Sequence, residues 1–263
     1  MPEVAVADRM RSVGATDREV RTLITFTAAM DRARDADALW FAAERLFEAE
    51  PWAFSPAEVV GRSLTDPADV LRRFRVSQRH GQDVAAWRVI AESLDDPDAA
   101  PDARCAVFDG RGDASDLLQA LQATSPAGTD RFLLLRGPKV GSMWVRMLAY
   151  PGGGSIESLD ILPVAVDVQV RKVTEYLGAT DTGALDLDPA RPIVQAAWSR
   201  DVTHNGAEGP GALDGTAAAL DPALWFWAKW GCTRCERGSR RLPIGMPCQR
   251  CRFPARMNDP ADV

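Results

Sequence analysis

The chain has 263 residues, 46% of them hydrophobic and 26% charged, with a formal net charge of −6 and no apolar run near the roughly 20 residues of a membrane span. This excludes a disordered chain and an integral membrane protein, and argues against one that coats nucleic acid nonspecifically. The start, Met1 to Arg9, has neither a basic stretch nor an apolar core of signal type, so the expected location is cytoplasmic. Paired cysteines there bind metal more often than they form disulfides.

The first hundred residues read as helices. Thr16-Asp17 opens one, with Val20, Leu23, Ile24 and Phe26 as its apolar face, running to about Arg34. Residues 36–50 form a second, with Leu39, Phe41, Ala42, Leu46 and Phe47 inward and Pro51 stopping it. Ser55-Pro56 caps a short helix to Gly61, Asp66-Pro67 repeats the device through Phe74, and 82–94 is a fifth. An Asp95–Asp102 turn cluster follows, then a helix over 115–123. After a Ser-Pro-Ala-Gly-Thr-Asp break and the turn Arg136-Gly137-Pro138, a helix is predicted from Lys139 to about Tyr150. Its buried stripe is Val140, Met143, Trp144, Met147 and Leu148, with Lys139, Ser142 and Arg146 on the opposite side. Past a Pro-Gly-Gly-Gly-Ser insertion, Val166, Val170, Val173 and Leu177 mark the next stripe, closed by Gly178. Further helices are predicted over 190–200 and 222–230, so the class is mainly α.

Two places carry chemistry within residues 114–180. Gly137 is expected to take a positive φ and bring backbone N–H groups to a phosphate at a helix N-terminus. Lys139, between Pro138 and Val140, offers an amine nucleophile, and Asp167, at a helix N-cap, a carboxylate to stabilise developing positive charge. Taken alone, a lysine or an aspartate at a helix start is a solvated charge or a cap. Asp160 is a competing carboxylate placed on a loop, and Trp144, Trp198, Trp225, Phe226 and Trp227 are the aromatics available to wall a pocket. Cys105 reads as a packed small residue and His204 as a loop residue.

Leu133-Leu-Leu-Arg-Gly137-Pro-Lys139-Val followed by Val166-Asp167-Val-Gln-Val-Arg171 resembles the helix–hairpin–helix DNA glycosylases, the superfamily of endonuclease III and the 8-oxoguanine glycosylases. Their pattern is a Leu-x-Gly-x-Gly-x-Lys hairpin and a Val-Asp-x-x-Val-x-Arg helix start. Here the first hairpin glycine is Leu135, and Lys139 and Asp167 stand 28 residues apart, a layout more similar to the archaeal type of 8-oxoguanine glycosylase. The resemblance implies a helix–hairpin–helix body. It also implies a repair enzyme that flips a damaged base, oxidised guanine being favoured, out of double-stranded DNA. Lys139 would attack the sugar C1′ with Asp167 assisting, and lyase cleavage would follow. The expected DNA contacts on the body are Arg136, Gly137, Gly141 and Arg146, and the expected state is a monomer.

The spacing Cys232-x2-Cys235-x12-Cys248-x2-Cys251 is a four-thiolate metal pattern. Symmetric pairs favour structural zinc, with a (4Fe–4S) cluster as the alternative. Residues 228–256 hold eight cations against Glu236, a local +7 beside −11 on residues 1–227. The expected organisation is therefore a body over 1–227, a basic four-cysteine metal ribbon over 228–256 and a tail over 257–263. Arg234, Arg237, Arg240 and Arg241 would contact phosphates. Two rival functions stand beside this: an N-glycosidase of free nucleosides or nucleotides, and a non-catalytic nucleic-acid adaptor.

Overall fold

A computed structural model of the chain describes residues 1–32, 34–205, 213 and 215–232. The protein is mainly α and divides into two compact units, Met1–Ile161 and Leu162–Val263. The division falls inside the 114–180 region, and most of the expected ribbon over 228–256 lies outside the described residues. No helix of the described residues is long and apolar enough to cross a membrane.

In the first unit α1 (Pro2–Ser12) precedes α2 (Asp17–Ala29). Helix α2 starts where a capping box makes it start: the Glu19 N–H donates to Thr16 Oγ1, and the Glu19 carboxylate accepts the Thr16 N–H at 2.7 Å. Its residues from Val20 to Ala29 are buried, so it is the axis of the unit, packed by α3 (Ala36–Ala49), α6 (His80–Asp95), α7 (Pro101–Phe108) and α9 (Pro138–Ala149). Between α3 and α6 run a 3₁₀ turn (Pro51–Phe54), α4 (Pro56–Gly61) and α5 (Thr65–Arg73). Phe26 and Trp87 meet at 4.7 Å between ring centroids, and the Trp87 indole N–H donates to the Ala53 carbonyl at 2.8 Å, which fixes that turn to the core.

Helices α1 and α7 and two short strands go beyond the sequence pattern. Helix α7 begins with Pro101 at its first position, inside what reads as a turn cluster. Strands β1 (Arg111–Asp113) and β2 (Ser155–Glu157) pair in parallel, Gly112 opposite Ile156. Each is three residues long, too short for an alternating pattern to be read. Between the strands lie α8 (Ala114–Ala120) and α9, and after β2 a 3₁₀ turn (Leu159–Ile161) carries the exposed Asp160, which the sequence places on a loop. Arg21, 5% exposed, ties the α7 end to the glycine run: its guanidinium donates to the carbonyls of Val107, Gly152 and Phe108 at 2.9, 3.0 and 3.2 Å.

In the second unit an extended segment leads into α10 (Val168–Leu177), which ends at Gly178 in the left-handed conformation, as its pattern predicts. Helix α11 (Leu187–Asn205) starts earlier and runs further than expected, carrying His204 on helix instead of loop. A 3₁₀ turn (Ala217–Ala219), α12 (Leu220–Phe226) and a π-helical turn (Trp227–Cys232) follow. Val164, Val166, Val170, Val173, Val194, Trp198 and Leu224 form the core of this unit. Asp221 accepts the Ala165 N–H at 3.0 Å and so holds the extended segment to α12.

Candidate active site

Helix α9 begins one residue before its predicted start, with Pro138 at the first position and Gly137 as N-cap. The positive φ expected at Gly137 is absent: its backbone is extended, φ −66° and ψ 147°, and Leu134, φ 79°, takes the left-handed position. The chain therefore turns three residues earlier than the hairpin motif places it. Gly137 has no side chain to cap α9, and a Cβ built on it meets nothing within 4 Å, so the N-terminal end of the helix opens outward.

Lys139 stands in that first turn. Its ammonium lies 3.4 Å from the Asp31 carboxylate, with the two side chains 24% and 12% exposed. A helix N-terminus carries partial positive charge and disfavours a cation, so the nearby carboxylate offsets both the dipole and the partial burial. Asp31 stands just past Met30, the C-cap of α2, and opens a charged loop. Arg32 pairs with Asp83 at 3.1 Å, and Arg34 donates to the carbonyls of Val76 and Arg75 at 2.5 and 2.9 Å. Burial lowers the Arg34 guanidinium from its usual range, against the pull of Asp31, Asp83 and Asp35. Asp83 is itself 4% exposed; burial raises its carboxyl, but N–H donors from Arg79 and Gln78, the Ser77 hydroxyl and Arg32 outweigh this and hold it below the ordinary carboxylate value. Asp31 is the residue that sequence reasoning missed. It lies 108 residues from Lys139, and no local spacing signals the pairing.

Asp167 caps α10 as predicted, its Oδ1 accepting the N–H groups of Gln169 and Val170 at 2.8 and 2.9 Å. Arg171, the arginine of the same motif, is a brace: it pairs with Glu175 at 2.9 Å and donates to the carbonyls of Leu185 and Gly183 at 2.6 and 3.1 Å.

Three expectations around α9 are corrected. Arg146 does not face phosphate; it is 2% exposed and pairs with Glu3 at 3.1 Å, because α9 is buried on almost every side and α1 supplies the counter-charge. Ser142, placed on the same polar side, is also buried. Gly141 is a packing glycine: a Cβ there would stand 3.2 Å from Leu121 Cδ1 and 3.3 Å from the Leu135 carbonyl. Arg136 is exposed and engages Asp130. Of the aromatics, Trp144 and Trp198 are core residues, their indole N–H groups spent on Thr25 and Thr174 at 3.0 and 2.8 Å. Phe226 is 55% exposed, and Trp225 carries Lys229 4.7 Å from its ring centroid.

Among the described residues, no group of three or more His, Cys, Asp or Glu side chains is placed to hold a metal. Cys232 ends the π-helical turn, while Cys235, Cys248 and Cys251, with Arg234, Arg237, Arg240 and Arg241, lie outside the described residues. Comparison with models of known families, with curated proteins and with solved structures finds no match to this chain.

Proposed function

We propose that the chain is a DNA glycosylase with lyase activity, in which Lys139 is the nucleophile. The observation that supports this most is the partly buried Lys139–Asp31 pair at the open N-terminus of α9. An amine nucleophile must give up a proton, be sheltered from bulk water and lie beside an anion-binding surface: Asp31 is the proton acceptor within reach, and the helix N-terminus both disfavours the ammonium and attracts anions. In the proposed reaction the Lys139 ammonium loses a proton to Asp31 and the free amine attacks C1′. The C1′–N bond breaks and the base leaves with the electron pair, to be protonated. The attached nitrogen then gives up its second proton, the C1′–O4′ bond opens with O4′ taking a proton, and the resulting Schiff base permits β-elimination of the 3′ phosphate before water releases the lysine. Asp167 is assigned the stabilisation of positive charge developing on the sugar. The substrate class is double-stranded DNA carrying a damaged base, with oxidised guanine the first to test. Zinc at the four cysteines is proposed as structural, with no part in these steps.

Borohydride trapping on duplexes bearing a panel of lesions tests the reading. Wild type should yield a covalent adduct with at least one lesion, Lys139→Ala none, and Asp31→Asn about a hundredfold less per unit time. Wild type without an adduct on any lesion, or Lys139→Ala that traps normally, refutes the assignment and leaves the pair a structural tie between α2 and α9.

A further inference from the structure

The unit Met1–Ile161 holds a second collection of chemistry, at the other end of α2. A cleft of about 470 Å³ is lined there by Arg18, Thr22, Phe47, Trp52, Arg62 and Phe108, among others. Its size falls in the range of small-molecule pockets, about 300–1,000 Å³. Arg18 and Thr22 lie in the first two turns of α2, whereas Asp31 stands just past its C-cap Met30. At 1.5 Å rise per residue the cleft is about 14–20 Å along the helix from the Lys139 pair.

The lining is held in place before any ligand arrives. The Trp52 indole N–H donates to Glu50 at 2.8 Å, and Phe54 packs against Phe26 and Trp87 at centroid distances of 6.2 and 5.3 Å. The Arg18 guanidinium lies 4.2 Å from the Phe108 ring centroid and that of Arg62 4.1 Å from Trp52. Stacking uses the face of a guanidinium and leaves its N–H edges for an acceptor. Among the described residues Arg18 has no carboxylate within ion-pair distance, and Arg62 reaches only Glu58, at 3.9 Å. Glu19 is spent on the Thr16 N–H and hydroxyl at 2.7 and 2.8 Å, and the Thr22 hydroxyl on the Arg18 carbonyl at 2.8 Å. The cleft thus offers two guanidinium groups, each over an aromatic ring of its wall. Glu19 and Glu58 offset the two cations, so recognition comes from the directed donors and the rings, not from a net positive field.

We propose that this cleft binds a nucleotide, its phosphate on the N–H edges of Arg18 and Arg62 and its base among Phe47, Trp52 and Phe108. The phosphate is the acceptor that two guanidinium forks suit, and the flat base is the apolar part that the rings suit. The ligand is either a free mononucleotide or a nucleotide within a strand, and the proposal does not depend on Lys139 being a nucleophile.

Calorimetric titration of the full chain tests it, with 2′-deoxyadenosine 5′-monophosphate, 2′-deoxyadenosine, inorganic phosphate and a short oligo(dA) as probes. The monophosphate should bind saturably, at least about tenfold more tightly than the nucleoside or inorganic phosphate. Arg18→Ala and Arg62→Ala should each weaken it about tenfold, and Arg62→Lys nearly as much, since an ammonium does not reproduce the stacked fork. Both arginines are exposed, so unchanged melting of the variants is the folding control. Oligo(dA) binding more tightly than the monophosphate assigns the cleft to a strand; equal or weaker binding assigns it to free nucleotide. Lys139→Gln should leave the monophosphate isotherm unchanged while abolishing borohydride trapping, which keeps this proposal separable from the glycosylase reading. No saturable binding of either the monophosphate or oligo(dA), or isotherms unaltered in both arginine variants, overturns it.

Discussion

Replacing Asp167 by alanine and, separately, by asparagine divides its role as a cap from its role as an anion. The carboxylate accepts two backbone N–H groups of α10 through one oxygen, at 2.8 and 2.9 Å. Losing such a cap costs about 1 kcal/mol, within a range of about 0.5–2, and losing a charge at a helix N-terminus costs about 0.3–1 kcal/mol. Alanine removes both, so Asp167→Ala should destabilise the unfolding transition containing α10 by about 1–2 kcal/mol. Asparagine presents an equivalent oxygen to the same donors and ranks beside aspartate as a cap. Asp167→Asn should therefore lose only the charge–dipole part, about 0.3–1 kcal/mol. Catalysis should follow charge instead of capping: if the anion stabilises a cationic sugar, both variants lose rate together, by about a hundred- to a thousandfold. Urea unfolding and single-turnover trapping, run on the same three proteins, measure the two quantities. An Asp167→Asn protein that traps at the wild-type rate while Asp167→Ala is merely less stable would refute the catalytic reasoning and leave a cap.

The remaining predictions concern what holds the first unit together. Arg21→Met keeps the length of the side chain but strands the carbonyls of Val107, Phe108 and Gly152; three charge-assisted bonds, less the desolvation of the guanidinium, make the loss about 3–5 kcal/mol by denaturant unfolding. Gly152→Ala sets a Cβ 2.4 Å from the Leu148 carbonyl oxygen and 2.9 Å from Arg21 Cγ, and should destabilise by about 2–4 kcal/mol with a shift of the neighbouring backbone. Asp83, whose folded carboxyl titrates below its ordinary value of 3.8, contributes stability that is present above that value and is lost as pH falls below it through the folded value. Asp83→Asn should flatten that acid limb of the stability profile, and an unchanged limb would remove Asp83 as its source.

Much of the helical order was legible because helix signals are local. Thr16, Ser55 with Pro56, Asp167 and the closing Gly178 stand at the predicted helix ends, although Ser55 makes no side-chain cap hydrogen bond, whereas Asp66-Pro67 lies inside α5, which starts at Thr65 after Leu64. The misses share a cause. Helix α1 and helix α7 lack strong periodicity, and the β1–β2 pair joins three-residue segments more than forty positions apart. The hairpin glycine was read from a motif spacing, yet the left-handed residue is Leu134 and Gly137 is extended. For the candidate site, the sequence indicates that Lys139 and Asp167 both lie at helix starts. It is silent on Asp31.

Chain order alone determined the helix ends marked by Thr16, Asp167 and Gly178, because those hydrogen bonds close within about four residues. Tertiary packing decided which polar groups meet water. Arg146 looks like a solvated face until Glu3, 143 residues away, is seen beside it. Arg21 looks like an ordinary surface cation until three carbonyls from α7 and the glycine run converge on it. Lys139 acquires its carboxylate the same way, across 108 residues. Burial is a property of every surface brought together at once, and no window of sequence contains those surfaces.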